Sequence, residues 1–306
     1  MALLNFRRPI EQPALPPAHL SALLEGFSIE VMPRTAQKIP DFRALLPART
    51  RVYIAHIDGT PNADMVATAR RLRAEGMEPV PHFPARSIAG RTELADLVAR
   101  YEGDADVRAG LILGGGVATP RGGFDASRQL LETGLFARFT TLNVAGHPEG
   151  NRDIDPEGGE ARVMDALRWK QDFARETGVD MAIVTQFAFD AAPVIDWTAR
   201  LQDAGITLPV HLGIAGPAKL QTLIRFAIAC GVGPSLSVLQ KRARDVTKLL
   251  LPFEPTELAT ALAAHKAAHP DFAVTQLHLF PLGGIEAACA WTHAQGGAVA
   301  RPATPS

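Results

Sequence analysis

The chain reads as α/β, a single (βα)8 barrel with extra helices before the last strand. Short apolar runs alternate with longer amphipathic segments almost from end to end, eight such runs can be recognised, and 306 residues is near the usual barrel length. The first run, 27–32, is apolar apart from Ser28 and Glu30, and the second, 52–57, is Val-Tyr-Ile-Ala-His-Ile. A helical pattern at 63–75 leads to the run 78–83, which ends in Pro-His-Phe. Another at 92–101 leads to 110–114, a Leu-Ile-Leu core between glycines. Then come the run 140–145, the helix 160–177, the run 181–187 and the helix 194–204. The run 209–213 is followed by a helix at 218–229, and the last run is 274–280. The final interval is longer and carries two more helical patterns, 235–250 and 254–265. An open doubly wound sheet is the competing arrangement of the same pattern. Residues 1–306 form one domain in this reading, with 1–20 an extended lead-in and 296–306 a loose tail.

Composition narrows the function classes. Formal net charge is −1, from 31 basic and 32 acidic residues with no long run of one sign. That balance argues against a nucleic-acid surface and favours small molecules as partners. Cys230 and Cys289 both lie in apolar helical patterns, so neither a disulfide framework nor a zinc site is expected. Arg7, Arg8, Glu11 and three prolines interrupt residues 1–16, so no signal peptide is read. The longest uncharged runs, such as 226–240, contain Gly and Pro and are too short to span a bilayer. The expectation is a soluble cytoplasmic protein with no membrane or nucleic-acid partner; a homo-oligomer is left open.

In a barrel, chemistry gathers where strands end and βα loops begin. Glu30 places a carboxylate in an apolar strand, where burial raises its pKa and yields a protonated acid near neutral pH; pairing with Arg34 is the plainer alternative. His82 ends the third run, either as a site residue or as a donor to a loop carbonyl. Gln186 appears where the apolar strand 181–187 runs out. Its planar carboxamide suits the edge of a heterocycle such as a pterin, or alternatively caps a neighbouring loop. Phe187, Phe189 and Asp190 follow it. Phe226 lies on a helix, where an aromatic is most often core. Asp165 and Lys170, five apart on one helix, read by themselves as a solvated face. No His, Asp and Glu cluster stands at metal-ligand spacing.

Two segments together, 27–35 (Phe-Ser-Ile-Glu-Val-Met-Pro-Arg-Thr) and 183–190 (Ile-Val-Thr-Gln-Phe-Ala-Phe-Asp), resemble the methylenetetrahydrofolate reductase family. The likeness runs in the family's order from about Phe27 to His293, and 211–217 looks like the family's Pro-Gly-Ile-x-Pro turn. The resemblance implies that Glu30 is the acid that protonates the folate and that Gln186 binds the pterin. Phe187, Phe189 and Asp190 would build its surround, and Phe226 would pack on folate or nicotinamide. It further implies that His82, His147, Asp165 and Lys170 belong to the cofactor region, with NADH or NADPH as reductant and FAD as the family's cofactor. The departures cluster at the flavin positions. Leu113 is followed by Gly114-Gly115-Gly116 where the family has Arg-Gly-Asp, and 55–58 lack its Thr-Tyr-Gly. Losing an Arg–phosphate fork costs on the order of 1.5–3 kcal/mol per charge-assisted hydrogen bond, so FAD binding is expected to be weak. The implied function is reduction of 5,10-methylenetetrahydrofolate to 5-methyltetrahydrofolate, through FAD or by direct hydride transfer. A non-redox folate-binding or corrinoid-partner barrel is the alternative.

Overall fold

The computed structural model describes residues 18–229, 239 and 252–298. Cys230, the helical pattern at 235–250 and the outer parts of the lead-in and tail lie outside the described residues. Eight parallel strands follow one another around a closed barrel. They are β1 (Ser28–Val31), β2 (Arg51–Ile54), β3 (Glu78–Pro84), β4 (Ala109–Leu113), β5 (Thr141–Gly146), β6 (Ile183–Ala188), β7 (Val210–Ala215) and β8 (Val274–Phe280). Closure runs through β1 and β8, where Ser28 pairs with His278 and Ile29 with Leu279, so no sheet edge is left. This is the (βα)8 TIM barrel that the alternating pattern predicts.

Among the described residues the α-helices are α1 (Ala18–Leu23), α2 (Pro33–Ala36), α3 (Asn62–Ala74), α4 (Arg91–Ala105), α5 (Ser127–Leu131), α6 (Ala161–Thr177), α7 (Ala191–Asp203), α8 (Leu220–Ala229), α9 (Thr256–Ala268) and α10 (Ile285–Ala294). Apolar spacing explains the long ones. On α6, Val163, Met164, Leu167 and Ala174 recur every three or four residues and are buried, and Gly178 ends the helix at φ 72°, where a side chain would be strained. Sequence periodicity does not announce α1, α2, α5 or α10. The first three are short, and α10 is alanine-rich, so its buried face carries little hydrophobic contrast. α1 begins at Ala18, inside the span read as lead-in.

Register decides which side chains enter the barrel. Ile29 stands opposite Val52, and both join the large apolar layer between strands and helices. The alternate residues turn inward, where Tyr53, Val80, Leu111 and Val184 from four strands meet in their own cluster. A third cluster, with Phe187, Phe189, Ala215 and Leu223 at its centre, sits where β6 and β7 meet α8. β2 leaves the sheet at Ile54, three residues before the predicted end, releasing Ala55, His56 and Ile57 to the C-terminal rim. Among the described residues no helix is long and apolar enough to cross a membrane.

Candidate active site at the barrel mouth

A column of polar side chains rises through the barrel. At its base Arg51 donates to Oε1 of Gln276, and Nε2 of Gln276 donates to Oγ of Ser28 at 3.0 Å. Ser28 Oγ lies 2.9 Å from Nδ1 of His278. Above them, the Glu30 carboxylate has Nε2 of His82 at 3.4 Å and Nε2 of His278 at 3.8 Å from its Oε2. Neither nitrogen has a closer partner, so both imidazoles are directed at this carboxylate without a well-formed hydrogen bond. Tyr53 packs edge-on against His278, ring centres 4.6 Å apart, and its hydroxyl accepts from Asn143 at 2.7 Å. The Glu30 side chain keeps 19% of its surface exposed, enough to meet a ligand entering the mouth.

This setting corrects the expected charge of Glu30. Burial does push its pKa up, but the imidazoles of His278 and His82 outweigh burial and hold it down at about 2. The resting group is a carboxylate, not a protonated acid, and it does not pair with Arg34. Burial also depresses two other histidines. His211 falls to about 3, with Arg51 and His278 adding to the effect of burial, and His147 to about 4, with Lys170 adding. An unfolded chain takes up these histidine protons near pH 6.5, whereas the folded one resists until about 3 to 4, so stability rises with pH across that window. Glu30 acts with the same sign lower down: its contribution is full above about 4.5 and lost by about 2. Thermal unfolding followed by circular dichroism at stepped pH is therefore expected to show the midpoint falling steadily from about pH 6.5 to about pH 4. A flat midpoint over that range would contradict these burials.

Gln186 owes its position to a bulge. β6 pairs Val184 with His211 and then Phe187 with Gly213, so Thr185 and Gln186 together face a single residue of β7. Thr185 Oγ1 accepts from the Gly213 amide at 2.9 Å and donates to the Gln186 carbonyl at 2.7 Å. A Cβ on Gly213 would stand 2.5 and 2.6 Å from the carbonyl oxygens of Thr185 and Gln186, so only glycine admits this crossing. The Gln186 side chain is exposed in an otherwise buried strand, and among the described residues its carboxamide has no hydrogen-bond partner. It is therefore free to bind a ligand.

The other sequence candidates divide. Phe187 and Phe189 are buried, edge to face at 5.6 Å, and Phe187 also meets Phe280 at 5.4 Å. They form a rigid wall, and half-buried Phe226 packs against it. Asp190 caps α7, accepting from the Ala192 amide at 3.1 Å. His147 follows β5, with Nδ1 3.4 Å from Asn151. Lys170 is not on a solvated face, as its sequence setting suggested; it is 7% exposed and has no partner among the described residues. Burial alone lowers its amine to about 8. Asp165 is exposed on α6 and paired with Arg168, apart from the column. Sequence reasoning did not single out Ser28, Arg51, Tyr53, Gln276 or His278 as site residues. The available signal was in β8, where Gln276 and His278 alternate with Leu277 and Leu279, a period of two that marks an inward-facing set.

Two clefts lie elsewhere, about 420 Å³ beside Asn62 and Arg100 and about 690 Å³ beside Pro217 and Trp291. Neither is lined by Glu30 or Gln186. Among the described residues no group of three or more His, Cys, Asp or Glu could hold a metal ion.

The chain is a closed (βα)8 barrel with Glu30, His82 and His278 gathered inside it. No protein-family model matches the sequence. Among solved structures, an uncharacterized protein from Clostridium thermocellum, described as binding two copies of 5-methyl-5,6,7,8-tetrahydrofolic acid, superposes with a TM-score of 0.56. Sequence identity is 12%, and the match covers 89% of this chain and 95% of that one. At that identity the likeness establishes the fold.

Proposed function

We propose that this barrel binds a reduced folate at its mouth and reduces 5,10-methylenetetrahydrofolate to 5-methyltetrahydrofolate with NADH or NADPH. The observation that carries the reading is an anionic Glu30, set between two imidazoles, in a barrel whose β6 exposes an unpartnered Gln186 carboxamide. The resemblance of residues 27–35 and 183–190 to the reductase family and the folate bound by the Clostridium thermocellum protein support it. Gln186 would hold the pterin edge through one acceptor and two donors. As the folate covers Glu30 and displaces its remaining water, desolvation raises the carboxyl pKa and draws a proton into the site, to be passed to the bridge nitrogen. Once the bridge opens, the Glu30 carboxylate left behind stabilises the iminium cation. A reduced nicotinamide, as co-substrate, supplies the hydride.

FAD fits this mouth poorly, and no step is routed through it. The end of β4 offers three glycines, and Gly114 is already engaged as an acceptor for the Arg86 amide at 2.9 Å. The nearby cations are occupied: Arg86 pairs with Asp125 at 3.0 Å and Arg121 donates to the Ser87 carbonyl at 3.0 Å. Freshly purified protein is accordingly expected to show no stoichiometric flavin absorbance; a full flavin spectrum would contradict direct transfer.

The function is tested by following NADH or NADPH oxidation that depends on methylenetetrahydrofolate. Folate binding without such oxidation would leave a binding protein and overturn the reductase reading. Gln186→Ala is expected to raise the KM for folate more than that for the nicotinamide. The loss should be about 0.5–1.5 kcal/mol for each hydrogen bond removed. A change confined to the nicotinamide would place Gln186 outside the pterin pocket.

A further inference from the structure

We propose that Gln276 and Arg51 are positioning residues that fix the proton of His278 on Nε2, so that an N–H and not a lone pair faces the Glu30 carboxylate. A guanidinium can only donate, so Arg51 claims the oxygen of the Gln276 carboxamide and thereby settles which way that amide faces. The amide nitrogen is left to donate to Ser28 Oγ. Among the described residues, the one partner remaining for the Ser28 hydroxyl proton is Nδ1 of His278 at 2.9 Å. A neutral imidazole that accepts at Nδ1 carries its own proton on Nε2, the nitrogen nearest Glu30. The opposite tautomer leaves a buried hydroxyl proton without an acceptor and aims a lone pair at a carboxylate, two penalties at once.

The groups facing His278 are Glu30 and Ser28 from β1, Arg51 and Tyr53 from β2, His82 from β3 and His211 from β7. Burial keeps the His278 ring from charging and Glu30 works against that, while His82 and Arg51 reinforce it. The ring is neutral at neutral pH, which makes its tautomer the quantity that matters. The tautomer assignment stands without the folate reading; its effect on turnover rests on that reading.

Long-range proton–nitrogen NMR correlations of the histidine-labelled full chain read the tautomer directly, with His278→Asn used to assign the signal. The native chain is expected to show His278 protonated on Nε2. Gln276→Glu keeps the side-chain shape and the Arg51 partner, but both of its oxygens accept. The Ser28 hydroxyl then turns to it, and His278 should switch to Nδ1–H. A native Nδ1–H pattern, or no switch in Gln276→Glu, overturns the proposal. Should Gln276→Glu not fold, Ser28→Ala serves instead: a pure Nε2–H pattern retained there overturns it, and loss of that pattern supports it. In turnover, the alkaline limb of the pH–rate profile should move up by about one pH unit in Gln276→Glu, because Glu30 loses a facing donor and holds its proton to higher pH. A tautomer switch with an unmoved alkaline limb would overturn the coupling to Glu30. Absence of folate-dependent oxidation in the native chain would overturn the proposed function instead, leaving the tautomer to be decided by the spectrum.

Discussion

Glu30→Gln is expected to fold, to bind folate and to lose turnover by roughly 10²–10⁴-fold, the range that general acid catalysis commonly supplies. The carboxamide is close to isosteric, so the imidazoles of His82 and His278 keep a neighbour at the same place. What disappears is the group that carries the proton and the anion that follows its release. Gln has neither an ionised form to stabilise a cation nor an acidic proton to give. Steady-state rates of nicotinamide oxidation, compared with binding of 5-methyltetrahydrofolate by calorimetry, separate the two effects. Near-native turnover would place the acid on another residue.

Trp197→Ala is expected to be the most destabilising single truncation, costing roughly 3–5 kcal/mol in denaturant unfolding. Trp197 heads the largest fully buried side chains, and its ring edge packs beside Gly146, where the Ile183 methyl takes the place a Cβ would need. Its indole nitrogen is buried without a hydrogen-bond partner. Trp197→Phe therefore removes an unsatisfied donor along with some area and should cost much less than the alanine change. Equal losses for Phe and Ala would mean that the indole nitrogen has a partner in solution.

The barrel was legible in the sequence because its signal is repetitive. The run 274–280 coincides with β8, and the other seven strands fall within three residues of their predicted ends. What periodicity could not supply was the company each inward residue keeps. Glu30 was read as a buried acid because the strand around it is apolar, yet its ionisation is set by His82 and His278, 52 and 248 positions away. Apart from the family resemblance, Lys170 reads as solvated because charged residues usually are, although its position continues the stripe of Val163, Met164 and Leu167. Gln186 draws attention in the sequence because a carboxamide at a strand end stands out locally. The device that exposes it, a bulge completed by Gly213, depends on a neighbouring strand.

The pairing of β1 with β8 has a consequence for how this protein is made. The Ser28–His278 contact spans 250 residues, so during synthesis β1 waits for β8 before Glu30 acquires its second imidazole. Long-range closure of this kind is slow and comes late in folding. A nascent chain halted before β8 would carry most of the helices and strands yet have no finished chemistry, and an unclosed seam would leave two strand edges open to other chains. Maturation of the site and protection from aggregation therefore arrive in the same event.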